Sequence, residues 1–267
     1  MIWAGRYLLG LQSNPAMPTV GWTVGKGTLE KEKTRRADLF LCTRSFATEH
    51  AIGLQRLHAR FNFSRENRAF CIAGSSRSQL AVLTVNGEAV SQQLFALNQY
   101  SMKIRFDKLE YDFRYTDFTS TSHFKTERDD YLTSAIGGPI TTGFDMPTPL
   151  RSTRTIGQWA LLGPLGKGIS GKVSLASNSK NEVVAIKVVE RNSKSASNVD
   201  GEIAVYKEIT ALAKRWDDDE AVVRLREVLY DKEEKFSSTS AFEDVAMVLE
   251  PMTPQTLVDL IGHGSKG

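Results

Sequence analysis

The segment Leu165-Gly166-Lys167-Gly168-Ile169-Ser170-Gly171-Lys172-Val173 decides how the second half of this sequence is interpreted. Its glycines have the spacing G-x-G-x-x-G, which also occurs in dinucleotide-binding turns, where the motif opens a helix. Here residues 172–177 continue as a strand, residues 178–181 have turn composition, and Glu182-Val183-Val184-Ala185-Ile186-Lys187-Val188-Val189 returns as a second strand. The order predicts a β-hairpin flap and excludes a helix-opening turn.

This hairpin has the chemistry of a phosphate-binding flap. Residues without a Cβ let the backbone approach phosphate oxygens closely and present amide groups to them. In the returning strand Val183, Ala185 and Lys187 share one face, because side chains alternate along a strand. A small apolar residue on that face can touch a flat base while the lysine reaches the phosphates. The pattern predicts a nucleotide site on one strand.

Together, the glycine-rich segment and Val184-Ala185-Ile186-Lys187 resemble the amino-terminal lobe of a eukaryotic protein kinase. The resemblance implies an ATP site and assigns roles to its residues. The implied phosphate loop contains Gly166, Lys167, Gly168 and Gly171, the adenine contacts are Leu165, Val173 and Ala185, and Lys187 binds the α- and β-phosphates.

In that family a helix glutamate pairs with the lysine, because an unpaired ammonium in a partly desolvated pocket is costly and poorly aimed. Glu208 is the preferred candidate because it needs only a short insertion before the next strand, and Glu202 is the alternative. The segment Met247-Val248-Leu249-Glu250-Pro251-Met252 resembles the family's hinge. Leu249 would be the gatekeeper, and the Glu250 carbonyl and the Met252 amide would meet the adenine edge.

The same family transfers phosphate with residues of a larger second lobe, and this sequence contains no H-R-D, D-F-G or A-P-E segment. We therefore expect a chain that is cut short relative to the family, binds ATP weakly and transfers nothing. Magnesium is expected only together with the missing lobe. No catalytic residue and no metal site are assigned.

The first half has strand periodicity. In Leu57-His58-Ala59-Arg60-Phe61-Asn62-Phe63 apolar and polar residues alternate, and residues 102–106 and 109–115 repeat this pattern on either side of Asp107-Lys108. We predict an all-β sandwich over residues 1–116, a Ser/Thr/Gly/Pro-rich linker over 117–157, and a second domain over 158–267 with a main helix at 199–214. The predicted fold class is α+β.

Three short motifs of the first half resemble the forkhead-associated domain, a phosphothreonine-binding sandwich: Gly25-Lys26, Gln55-Arg56-Leu57-His58 and Asn86-Gly87. The resemblance implies a phosphopeptide site at Lys26, Arg56, His58 and Asn86. His58 is expected to brace the loops, and Asn86 either binds peptide backbone or shapes the turn. The family's arginine and serine are replaced by Lys26 and Gln55, so retention of phosphothreonine binding stays open.

Charge and cysteine content limit the compartment and the classes of binding partner that we expect. The chain has 34 basic and 31 acidic residues, a net charge of +3 and two cysteines in 267 residues, which predicts a protein of a reducing compartment, nucleus or cytoplasm. Neither nucleic acid nor membrane is an expected partner.

The leading hypothesis is a relative of checkpoint-type serine/threonine kinases that binds ATP and a phosphorylated protein partner. The alternative is a non-catalytic interaction or scaffold protein with a degenerate forkhead-associated domain and a pseudokinase lobe.

Overall fold

A computed structural model of the chain describes residues 5–26, 37–75, 82–136, 145–168, 171–216, 222–230 and 242–251. The chain divides into two compact units, with the first ending at Thr153 and also including Ser179–Asn181, and the second beginning at Arg154. Fifteen strands and three α-helices lie in the described residues. The fold is therefore β-rich α+β, in agreement with the predicted class.

The described residues of the first unit form two sheets and two α-helices. The five-stranded sheet has the order β2-β1-β3-β4-β7, and the four-stranded sheet has the order β6-β5-β8-β9. Their elements are β1 (Trp22–Gly25), β2 (Leu39–Phe40), α1 (Arg44–Glu49), β3 (Ala59–Phe63), β4 (Phe70–Gly74), β5 (Leu83–Val85), β6 (Glu88–Ala89), β7 (Phe95–Ala96), β8 (Ser101–Phe106), β9 (Leu109–Arg114) and α2 (Ser122–Ile136).

Both sheets bury apolar side chains in one shared core, as the alternating sequence pattern predicts. Along β8, Met102, Ile104 and Phe106 are buried while the residues between them are exposed. The two-residue turn at Asp107-Lys108 joins β8 to β9, and the positive φ of 55° at Asp107 suits such a tight hairpin. The predicted hairpin is confirmed.

The predicted linker over 117–157 is wrong for its first part. A 3₁₀ turn at Asp117–Ser120 leads into α2, whose first turn is capped by Thr121, since its Oγ1 accepts a hydrogen bond from the Phe124 amide at 3.2 Å. One apolar stripe of this helix packs into the core of the first unit. It comprises Phe124, Tyr131, Leu132 and Ala135.

A buried arginine of α2 contacts Asp145, further along the chain. The side chain of Arg128 is 2% exposed, and its Nη2 lies 2.7 Å from a carboxylate oxygen of Asp145. The Met146 amide also donates to the Asn67 carbonyl at 2.9 Å. These contacts hold residues 145–146 to α2 and to the loop between β3 and β4, within the first unit, so composition alone misassigned these residues as linker.

Where the structure describes it, the second unit consists of one six-stranded antiparallel sheet and one long helix. The strand order is β10-β11-β12-β13-β15-β14. The elements are β10 (Thr155–Ile156), β11 (Trp159–Lys167), β12 (Lys172–Ser177), β13 (Val183–Asn192), α3 (Ala196–Trp216), β14 (Arg224–Tyr230) and β15 (Phe242–Glu250). The predicted strand-turn-strand order of 172–189 and the predicted helix are confirmed.

The two faces of this sheet bury separate apolar clusters. On one face α3 packs against the sheet through Val199 and Ile203. On the other face Trp159 is fully buried, and its Nε1 donates to a carboxylate oxygen of Glu227 on β14 at 2.7 Å. The guanidinium of Arg226 lies 5.2 Å from the Trp159 ring centre. The sheet is therefore curled, because β11 and β14 are not neighbours in the strand order yet meet at Trp159.

Candidate functional site

The glycine-rich segment forms the end of the β11–β12 hairpin. Gly166 lies opposite Val173 and Lys167 lies opposite Lys172 in the antiparallel register. The Gly168 amide then donates to the Gly171 carbonyl at 2.9 Å. The hairpin is the arrangement that the sequence predicted, although residues 169–170 at its tip lie outside the described part of the chain.

The three glycines of this hairpin meet very different surroundings. A Cβ on Gly171 would lie 2.4 Å from the Val188 carbonyl oxygen, so packing of the fold itself requires glycine there. A Cβ on Gly166 would meet nothing within 4 Å, and one on Gly168 would meet only the Gly171 oxygen at 4.0 Å. Neither of these two residues has a positive φ. The fold therefore does not require glycine at positions 166 and 168.

An open recess of ≈ 380 Å³ lies against the hairpin. Four of the residues that were predicted to bind ATP line it, and both strands contribute. The lining consists of Pro164, Leu165, Gly166, Lys167, Lys172, Val173 and Ser174.

Lys187 lies on the sheet face that α3 covers. It stands opposite Val173 on β12 and Met247 on β15. Its Nζ donates to Glu202 Oε1 on α3 at 2.5 Å, and the two side chains are 15% and 27% exposed. The pair is thus partly shielded from solvent and reachable at its edge.

The partner of Lys187 is the alternative candidate, so the prediction that Glu208 pairs with the lysine is wrong. Glu208 is exposed on α3. At about 100° per helical residue, the six residues from Glu202 to Glu208 amount to about 240° around the axis, which turns Glu208 away from β13. Loop-length reasoning cannot find this, because it ignores the direction in which helix side chains point.

A second ion pair, which the sequence interpretation missed, joins the same two elements. Arg191 Nε and Nη2 donate to the two carboxylate oxygens of Asp200 at 3.1 and 2.8 Å. The hydrogen bonds from Arg191 lower the pKa of the Asp200 carboxyl below its ordinary value. The signal was present, because Lys187, Val189 and Arg191 alternate onto one face of β13.

The predicted adenine contacts lie at different depths. Ala185 is half-buried opposite Leu175 and Leu249 in the sheet register. Leu249 is 7% exposed and packs in the cluster under α3, whereas Leu165 is 43% exposed on the hairpin. The Glu250 carboxylate accepts a hydrogen bond from Arg226 Nη1 at 3.2 Å. The remaining predicted hinge contact, Met252, lies outside the described residues.

In the first unit, two of the predicted phosphopeptide residues come from loops that touch. The Lys26 amide donates to the Gln55 carbonyl at 3.1 Å. A Cβ on Gly25 would lie 2.2 Å from the Arg56 carbonyl oxygen, so the two loops are in van der Waals contact at this glycine. Lys26 is half-buried and Arg56 is exposed. The geometry places two cations at neighbouring loops.

His58 is held inside the first unit. The ring is 1% exposed, with Nδ1 accepting from the Gln55 amide at 3.2 Å and Nε2 lying 3.1 Å from the Val82 carbonyl oxygen. With Nδ1 as acceptor, Nε2 carries the proton and donates to Val82. Burial lowers the pKa of His58 below its ordinary value. Both ring nitrogens therefore bond to backbone groups, and His58 links the loop at Gln55 to the backbone at Val82, as expected for a structural residue.

Asn86 lies at the opposite end of β5 from Val82, the hydrogen-bond partner of His58. It occupies a tight turn with φ 50°, and its side-chain oxygen accepts from the Lys103 amide at 2.8 Å. It follows β5, whereas Val82, the partner of His58, precedes that strand. Four residues of extended chain span about 13 Å. The Asn86 side chain therefore shapes a turn, which is one of the two roles predicted for it.

Comparisons with known proteins give no support from relatives: neither the known protein families nor the curated proteins contain a match to this sequence. Within the described parts of the chain, no helix is both long and apolar enough to cross a membrane. The same residues include no group of three or more His, Cys, Asp or Glu side chains placed to hold a metal ion.

Proposed function

We propose that the second unit binds ATP in the manner of the small lobe of a eukaryotic protein kinase. The phosphates would lie under the glycine hairpin and beside Lys187, with the base against Ala185. The proposal concerns nucleotide binding and not phosphate transfer.

The observation that carries this proposal is the difference between the glycines. A glycine costs about 0.5–1 kcal/mol in a strand relative to alanine, because it loses more conformational freedom on folding. At Gly171 the close Val188 carbonyl accounts for that cost. At Gly166 and Gly168 neither neighbouring atoms nor backbone conformation accounts for it. Close approach of a phosphate group would account for both.

The ion pair of Lys187 with Glu202 supports the same proposal. A lysine that binds phosphates needs a fixed orientation. The Glu202 carboxylate, 2.5 Å from Nζ of Lys187, restricts the position of the ammonium group. Both side chains remain partly exposed, so an anion can approach the ammonium from the open side.

The test is titration of the full chain with ATP, followed by calorimetry and by thermal unfolding. Binding to the folded state alone stabilises it by about 1.4 kcal/mol at ten times the dissociation constant. Adenosine and inorganic triphosphate are the partial ligands, and each should bind more weakly than ATP. Lys187→Met is the loss variant, and Glu208→Gln, on the exposed side of α3, is the matched control. No heat and no stabilisation at millimolar ATP would reject the proposal and favour the scaffold alternative.

For the first unit we propose binding of a phosphorylated protein segment at the loops that carry Lys26 and Arg56. The observation that favours it is the contact between these two cationic loops. A degenerate phosphothreonine peptide pool and its unphosphorylated counterpart are suitable probes. Arg56→Ala should lower retention of the phosphorylated pool, and Arg44→Ala, which removes an exposed arginine from α1, should not. Equal retention of both pools would reject this proposal.

A further inference from the structure

The two ion pairs between β13 and α3 lie on opposite sides of an apolar stripe. Val199 and Ile203 pack in the same cluster as Val189 of β13. At about 100° per residue, Asp200 lies about 80° to one side of the centre of this stripe and Glu202 about 80° to the other. Arg191 and Lys187, which lie on the same face of β13, engage these two carboxylates.

This placement bears on how α3 can rotate about its own axis. Apolar contacts are weakly directional, so the Val199–Ile203 stripe alone tolerates some rotation. Side-chain ends lie about 5–6 Å from a helix axis, and a rotation of about 30° therefore moves a carboxylate by about 3 Å. A shift of that size breaks a hydrogen bond between Glu202 and Lys187.

The Arg191–Asp200 pair is the more directional of the two. It has two parallel hydrogen bonds from a planar guanidinium, and the Arg191 side chain is only 5% exposed. Two bonds from a rigid fork fix an orientation as well as a distance. The Lys187–Glu202 pair has one bond from a flexible side chain, so it depends on the helix already being in place.

We propose that Arg191 and Asp200 are positioning residues that fix the rotation of α3 and thereby keep Glu202 on Lys187. Only the nucleotide readout of this inference rests on the proposed function. The arrangement of Lys187 itself is measurable without any nucleotide.

The first experiment measures acylation of Lys187 by an amine-reactive ester, quantified by peptide mass spectrometry. Asp200→Asn should raise the labelling rate of Lys187 about fivefold, because the ammonium loses its carboxylate for a larger share of the time. Arg191→Lys keeps the positive charge but loses the two-point hydrogen bonding of the guanidinium. It should raise the labelling rate of Lys187 by a smaller amount. Glu208→Gln, on the opposite side of α3, should leave the rate unchanged.

The second experiment is a double-mutant cycle on ATP affinity. Asp200→Asn should weaken ATP binding about fivefold in the natural sequence and have no effect in a Glu202→Gln background, since Asp200 then has no pair left to position. A fall in melting temperature with unchanged Lys187 labelling would overturn the inference, because the pair would then be a structural tie only. Absence of ATP binding to the natural sequence rejects the proposed function, and the labelling rates still decide this inference.

Discussion

The two candidate sites differ in how many of their predicted residues the fold brings together. In the second unit Val173, Ala185 and Lys187 share one face of paired strands, and Glu202 reaches that face from α3. In the first unit the loops that carry Lys26 and Arg56 touch, but the His58 ring is buried and the Asn86 side chain bonds to the backbone of β8. Pairing register fixes the neighbours of a strand residue, whereas short loop motifs carry no such constraint. Motifs on adjacent strands therefore predict which residues are neighbours more dependably than short loop motifs do.

The largest expected effect tests the internal role of His58. His58→Ala removes a buried ring and leaves the Gln55 amide and the Val82 carbonyl without that partner, so we expect the free energy of unfolding of the first unit to fall by about 3 kcal/mol. Asn86→Ala, at an exposed turn, should cost about 1 kcal/mol. Urea unfolding with hydrogen exchange of the β3 amides measures both. Equal losses of unfolding free energy in the two variants would contradict a larger structural role for His58 than for Asn86.

The glycines of the hairpin provide the next comparison. Gly171→Ala forces a Cβ against the Val188 carbonyl and should destabilise the second unit by about 2 kcal/mol. Gly168→Ala has room, so its stability should be unchanged or raised by up to about 1 kcal/mol. ATP affinity should nevertheless fall in Gly168→Ala. Thermal unfolding and calorimetry of the two variants separate these effects, and a Gly168→Ala protein with undiminished ATP affinity would contradict a phosphate role for that residue.

The third comparison concerns the two glutamates of α3. Glu202→Gln weakens the hold on Lys187, and we expect about tenfold weaker ATP binding, whereas Glu208→Gln should change affinity by less than about twofold. Calorimetric titration at one ionic strength measures both. The reverse order would restore Glu208 as the functional partner.

The smallest expected effect is the pH dependence from His58. Its pKa is lowered in the folded state, so the unfolded chain binds this proton more readily. The stabilising contribution is therefore complete above about pH 6.5, the ordinary value, and is lost as the pH falls through the lower folded-state pKa. Urea unfolding between pH 7.5 and about 5 should show a stability decrease that His58→Gln reduces. An unchanged slope in that variant would assign the effect to other groups.

Strand alternation and glycine spacing predicted most of the fold. The β8–β9 hairpin, the β12–β13 hairpin and α3 follow from periodicities that local sequence sets. The helix at Ser122–Ile136 was missed because its frequent serines and threonines suggested a loop. The spacing of Phe124, Tyr131, Leu132 and Ala135 was nonetheless helical, and tertiary burial of this stripe outweighs weak propensity.

Only the strand and hairpin residues of the candidate site could be predicted from the sequence. Lys187 and the glycines follow from one hairpin, but choosing Glu202 over Glu208 requires the rotation of α3, which long-range packing sets. The Arg191–Asp200 pair has the same origin, since the two residues belong to different elements. Burial of His58 likewise depends on Val82, 24 residues away. Contacts of this kind are not encoded in any short stretch.

The two strands of the glycine hairpin differ in how firmly they are held. Along β11, Trp159, Ala160 and Leu162 are buried, while residues 164–167 are exposed. On β12, by contrast, Lys172 and Val173 stay paired with Val188 and Lys187 of β13, and Gly171 lies against the Val188 carbonyl. Backbone amides of β11 should therefore exchange with solvent progressively faster from Trp159 toward Lys167, while those at the start of β12 remain protected.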